Sequence, residues 1–331
     1  MNALRTSTYG AFVAALLLLV ASCGSSAPKR PGAAEPATAP ATSAAPVGPV
    51  VPVGESPEGI VFDPVTKLVA VAVRNPDRLL LLDPDTLALR RTVPLPGSVR
   101  HLQLARPGGP VLVPAESANQ LVEVTLPAGA TRATDVLKQP HDATAAADGD
   151  LVVGNEFGKS ISVVRDGIVR ATVRDLKQPG GVIGYGHDVA VVDVGAFTLS
   201  TYDLPTARRT AIVPAGKGPT HGELLSGDRV AVSDTRGDAI LVYRLAPLTP
   251  IGRLALPGTP YGLAVDATTD TLWVTLTARN QVVGLDLSGP TPQIIARYAT
   301  VRQPNTVAVA PGSHRLWITG TDDGVVQLIR R

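Results

Sequence analysis

Two stretches share an opening tetrapeptide: LKQPHDATAAADG at residues 137–149 and LKQPGGVIGYG at residues 176–186. A near-echo, VRQPNTVAVA, occupies residues 301–310. Each places a proline between a turn and an apolar run. Aligning the whole chain on that proline adds SPEGIVF (56–62), SVRHLQL (98–104), GPTHGEL (218–224) and TPYGLAV (259–265). The marker falls at positions 57, 99, 140, 179, 219, 260 and 304, with Val99 once replacing proline, so the intervals are 42, 41, 39, 40, 41 and 44. A second mark agrees, because LWVT (272–275) and LWIT (316–319) each set Trp 13 residues after the marker.

Seven units of about forty residues, each rich in short strands, predict an all-β fold: a seven-bladed β-propeller of four-stranded antiparallel blades. The first unit reads EGIVFD, LVAVAV, LLLLD and ALRRTVPL, four strands separated by Asp, Pro and Asn turns. Middle strands such as Val189–Val192 and Ile240–Val242 are continuous apolar runs, as expected where both faces of a blade pack on neighbours. Innermost strands carry small residues, Ala143–Ala147, Gly262, Ala264 and Ala308, which suit the crowded axis. After Pro304 there is room for only three strands. The fourth is expected from Val47–Val53, whose Pro49 and Pro52 are tolerable only on an outer edge. The ring is therefore predicted to cover residues 50–331 and to be closed by its own amino-terminal strand.

The repeats AVAVRNPDRLLLLDPDTL, SDTRGDAILVYRL and WVTLTARNQVVGLDL resemble the YVTN-type bacterial propeller repeat, over Val50–Arg331. Most blades lack that repeat's aromatic residue and Asn. The resemblance implies an envelope or secreted protein and no particular reaction.

The leading residues read as an address. Arg5 precedes the apolar run Ala11–Ser22, too short for a membrane span and right for a signal-peptide core. Val20-Ala21-Ser22-Cys23 resembles a bacterial lipobox, which implies cleavage before Cys23 and a diacylglyceryl group on its thiol. Cys23 is the single cysteine, so no disulfide competes for it. Residues 1–22 are thus expected as a lipoprotein signal peptide, and residues 23–49, rich in Ala, Pro and Ser, as a lipidated, disordered tether. Extended, it would reach ~80 Å from the lipid. The expected location is the extracytoplasmic face of the cell membrane.

Charge is balanced at 30 Lys+Arg against 28 Asp+Glu, with no basic block, which excludes nucleic acid as a partner. No nucleophile elbow, phosphate loop, dinucleotide fingerprint or Cys-pair metal motif occurs.

The turns entering the inner strands and those between second and third strands open on one face. They are expected to line a mouth with Arg74, His101, Glu116, His141, Asp142, Glu156, Asp193, His221, Asp234, Arg236, Tyr261 and Arg279. Three of the five histidines thus occupy equivalent points around one opening, while His187 and His314 begin second strands as turn residues. Two readings follow. In one, the ring is a monomeric, lipid-anchored module that binds an envelope protein or small molecule, and the polar residues merely line a wide mouth. In the other, a divalent metal is held by imidazoles and carboxylates, or His101, His141 or His221 acts as a general base with Glu116, Glu156 or Asp234, in a metal-assisted lyase or hydrolase. Streptogramin-inactivating lyases are broadly similar in that respect, without a motif that matches residue by residue.

Overall fold

The computed structural model describes Met1 and residues 32–289, 292–313 and 315–330. Cys23, its signal-like run and His314 lie outside the described residues. Ala33–Arg331 form one compact unit.

Seven four-stranded antiparallel sheets form the ring. Blade 1 consists of Ile60–Asp63, Leu68–Val73, Arg78–Leu82 and Leu89–Pro94, ordered from the axis outward. Blades 2 to 6 repeat that order, beginning with inner strands at Gln103–Leu104, Pro140–Ala145, Pro179–Tyr185, Pro219–Leu224 and Pro260–Asp266. The marker prolines of blades 3 to 6 are the first residues of their inner strands, so the ruler counts sheets.

Burial follows the radial position. All six residues of Leu68–Val73 are buried, because each face of that strand meets a neighbouring blade. On the outer strand Leu89–Pro94 only Val93 is buried. Hydrophobic clusters consequently sit between blades; one joins Ala70, Leu79 and Leu81 of blade 1 to Val111, Val113 and Val122 of blade 2.

The last blade is composite. Val307–Val309, Arg315–Gly320 and Val325–Arg330 are completed on the outside by Val50–Pro52, paired antiparallel with Val50 opposite Gln327 and Pro52 opposite Val325. Pro52 is tolerated because this strand is the sheet's edge. The seam with blade 1 is packed by Phe62 stacked on Trp317 at 4.8 Å, with Val51 and Val53 against the same cluster. Gln327, fully buried, staples the seam: its Nε2 donates to Val47 O (2.8 Å) and Ala299 O (3.1 Å), and its Oε1 accepts Val301 N–H (3.0 Å).

The proline-rich approach to that strand departs from expectation. From Ala33 onward, the segment assigned to a disordered tether is seated against the ring. A Pro/Ala-rich chain cannot build a core, but its unpaired backbone groups can still be satisfied by side chains of another element. Among the described residues no helix is long and apolar enough to cross a membrane.

Replacing Gln327 with Leu strands the buried Val301 N–H and removes the donor to Val47 O, while Ala299 O keeps the Val47 N–H. At roughly 1–3 kcal/mol for an orphaned buried group, the substitution should lower unfolding free energy by about 1–3 kcal/mol. Urea titration measures it; a loss below about 0.5 kcal/mol would show that the seam does not hold the ring.

Candidate functional site

Residues one and two places after each marker converge on the axis. Those positions hold Arg100-His101 in blade 2, His141-Asp142 in blade 3, Gly180-Gly181 in blade 4 and Thr220-His221 in blade 5. Blades 2, 3 and 5 are not all consecutive, yet the His101 ring packs against both of the others. The rings of His101 and His141 lie 4.6 Å apart, those of His101 and His221 4.4 Å apart. The mouth is thus much narrower than the wide polar opening expected. Blade 4 has Gly180 and Gly181 at these positions and contributes no side chain to the cluster from them.

His221 Nε2 lies 3.0 Å from His101 Nε2, and His221 Nδ1 lies 3.1 Å from the Tyr261 carbonyl. A carbonyl only accepts, so Nδ1 of His221 carries the proton and its Nε2 holds a lone pair aimed at His101. Burial, followed by repulsion from His141, pushes His221 down to about 3. Burial and the two neighbouring imidazoles likewise push His101 well below the ordinary range.

His141 behaves oppositely. Its Nδ1 lies 2.7 Å from Glu116 Oε1 and 3.4 Å from Glu156 Oε2, all three side chains being buried. Burial opposes its charge, but the Glu116 hydrogen bond and the charges of Glu156 and Glu116 outweigh it and raise His141. Gln178 of the second LKQP fixes Glu156, donating from Nε2 to its Oε1 at 2.8 Å. Arg100 reaches Glu116 (3.6 Å), and Tyr261 packs edge-on against His221.

Below the imidazoles runs an axial channel of about 240 Å³, bounded by the inner strands and lined in part by His101, His221, Gln103, Asp142 and Glu223. None of its described lining residues is Lys or Arg. Asp142 accepts N–H groups from Ala143 (2.9 Å) and Val182 (3.0 Å), and Gln103 Nε2 lies 3.3 Å away. Burial nonetheless pushes Asp142 up to about 6; burial and the charge of Asp142 push Glu223 up to about 8.

Of the twelve expected mouth residues, His101, Glu116, His141, Glu156, His221 and Tyr261 meet at one point, with Asp142 just beneath. The others do not join them. Asp193 is consumed by backbone, accepting N–H from Lys177 (2.7 Å), Gln178, Gly195 and Ala196. Asp234 does the same for Lys217, Gly218 and Gly237, so it is a turn cap and not the partner acid expected of it. Arg74 pairs with Glu58 at 3.0 Å, Arg236 holds the Lys217 carbonyl, and exposed Arg279 lies over Gly258. Sequence reasoning passed over Gln103 and Glu223. Both stand four residues after their markers, where blades 1, 4, 6 and 7 have Val61, Ile183, Ala264 and Ala308, so polarity on that row was the available signal.

The donor atoms of His101, His141 and His221 lie within 4.8 Å of one another, and so do those of Glu116, His141 and Glu156. Ligands of a single ion at ~2.0–2.2 Å stand ~3–4 Å apart, so the cluster is compact enough to close on a cation. The His221 Nδ1–H bond to a carbonyl and the Glu116 bond to His141 match the outer-shell contacts that orient metal-binding imidazoles.

No protein-family model and no curated protein matches the chain. Solved structures do. Virginiamycin B lyase from Staphylococcus aureus superposes with a TM-score of 0.72 at 15% identity, covering 86% of this chain and 99% of its own. The Cps50 (Swd1) propeller domain of Myceliophteria thermophila gives 0.73 at 12% identity, with coverages of 86% and 100%. Kuenenia stuttgartiensis hydrazine synthase gives 0.69 at 16% identity, with coverages of 83% and 96%. The likeness is one of fold.

Because Glu223 is raised, its contribution to stability is fully present below the ordinary carboxylate range and is lost as pH climbs through about 8. Glu223→Gln should therefore gain stability relative to the native protein between pH 5 and pH 9. Thermal midpoints at both values test this, and an unchanged difference would mean that Glu223 ionises freely.

Proposed function

We propose that this protein is a lipid-anchored, extracytoplasmic propeller of the bacterial cell envelope that binds a ligand at the axial His/Glu cluster. One observation carries the reading: three imidazoles from three different blades meet over two buried glutamates. Assembling so many titratable groups in the interior costs stability, and such arrangements concentrate at functional sites. The anchor is proposed from the lipobox-like Val20–Cys23.

The same convergence favours a divalent cation as part of what is bound. His101, His141 and His221 would hold it, with Glu116 and Glu156 orienting His141. Such an ion supplies Lewis acidity toward an oxygen of the ligand. That composition supports the second reading, a metal-assisted lyase or hydrolase, in which burial keeps His221 unprotonated at neutral pH. The fold shared with virginiamycin B lyase agrees with this reading.

Calorimetric titration of purified protein with Zn²⁺ or Mn²⁺ should show one site. His221→Ala should abolish it and Glu116→Gln should weaken it ~10–100-fold. His141 must lose its proton to coordinate, and that proton is held above the ordinary range, so affinity should rise with pH through and beyond 6.5. No heat of binding across that range, or equal affinity in His221→Ala, would remove the metal from the proposal.

Anchoring has a separate test. Cys23→Ala should abolish incorporation of labelled lipid and release the protein from the membrane fraction; unchanged retention would contradict the lipid attachment.

A further inference from the structure

Residues 33–40 cross the mouth as an extended segment, and the ring grips their main chain. Arg236 donates to Ala33 O at 3.1 Å. Thr277 Oγ1 accepts Ala37 N–H at 3.1 Å, and Asn280 Nδ2 donates to Pro40 O at 2.9 Å. Gln303, from the third copy of the opening motif, works at both ends of its amide. Its Nε2 donates to Ala37 O (2.9 Å) while its Oε1 accepts Ala39 N–H (2.8 Å). One donor and one acceptor, addressed to residues two apart, reproduce what an adjacent β-strand would offer.

Side chains contribute little beyond size. Ala34 and Ala39 are buried, and Glu35 makes the segment's ion pair, to Arg100 at 3.5 Å. Recognition of this kind suits any extended chain of small residues, and proline is acceptable wherever no N–H is required. Ala33, Ala34 and Glu35 also roof a cavity of about 10 Å³ whose walls include His141, Glu156 and His221. That space is about the size of one water or one ion.

We infer that the mouth of the ring is a recognition groove for an extended Ala/Pro-rich peptide, occupied by the chain's own residues 33–40, which shut the imidazole cluster from that face until they are displaced. The inference deepens the proposed function, since it concerns access to the same cluster. It adds a partner chemistry, main-chain recognition of small residues, that the cluster itself does not require. Because the segment continues directly into the closing strand Val50–Pro52, its effective concentration at the groove is high, and a free peptide of the same sequence should compete poorly against it.

The test changes only the docked segment in the full-length chain. Ala37→Pro with Ala39→Pro removes the two N–H groups that Thr277 and Gln303 accept, leaving every ring residue in place. Ala39→Arg is a second variant, in which the side chain exceeds the buried space. Diethyl pyrocarbonate should modify His141 and His221 at least tenfold faster in both variants than in native protein, as followed by mass spectrometry. A labelled synthetic peptide spanning residues 32–42 should bind the variants at least tenfold more tightly than it binds native protein, and should restore slow modification. Equal modification rates, or absence of peptide binding to the variants, would overturn the inference. Should the variants lose their cooperative thermal transition, hydrogen exchange of the native chain decides: Ala37 and Ala39 amides must be protected, and free exchange at both overturns it. None of these readouts involves a metal, so a ring that binds no cation can still pass, and a cation-binding ring can still fail.

Discussion

A closed ring of seven tapered sheets has one axis, and every inner strand must end beside it. That constraint governs the molecule. Sheets whose middle strands are apolar on both faces are stable only when flanked on each side, so the ring must close; Val50–Pro52 closes it by completing the last blade. Once it is closed, residues just past the marker positions have nowhere to go but toward one another. The contact of His101, His141 and His221 is a consequence of closure as much as of their identity.

Closure also divides the axis into two environments. At the mouth, Glu116 and Glu156 share His141, and Arg100 balances part of their charge. Deeper, Asp142 and Glu223 face the channel with Gln103 and no lining cation, so burial raises both acids. His101 and His221 stand at the junction, stripped of water and close to other imidazoles, and burial holds both neutral. The result is a neutral pair of ring nitrogens between a charge-balanced mouth and an acidic channel. With Nδ1 of His221 protonated, the proton between the two rings sits on His101 Nε2, and a cation binding there would have to displace that hydrogen bond.

The number of blades, the strand count per blade and the source of the closing strand were legible because the marker prolines recur at nearly constant spacing and the final unit is one strand short. The width of the mouth was not legible. Sequence spacing locates a residue around the ring but not its radial reach, so histidines in blades 2, 3 and 5 were expected to stay apart. Asp193 and Asp234 were misjudged for a local reason. A carboxylate in a tight turn satisfies the turn's own N–H groups first, and both do so. The docked segment was hidden because the information lies in its host. Residues 33–40 offer little but backbone, whereas Gln303 and Asn280 supply the partners. The repeated Gln before the marker proline proves to have separate tasks, Gln178 orienting Glu156 and Gln303 pairing with the crossing chain.

Three imidazoles meet on the axis with opposite protonation, and imidazole nitrogen resonances report that directly. Long-range ¹H–¹⁵N spectra of histidine-labelled protein, recorded across a pH titration, should show His221 as the neutral Nδ1–H tautomer throughout the range where free histidine titrates, protonating only at about 3. His141 in the same spectra should remain cationic above 6.5. Three histidines titrating together near 6.5, as solvated and independent side chains do, would contradict the convergence and with it the site.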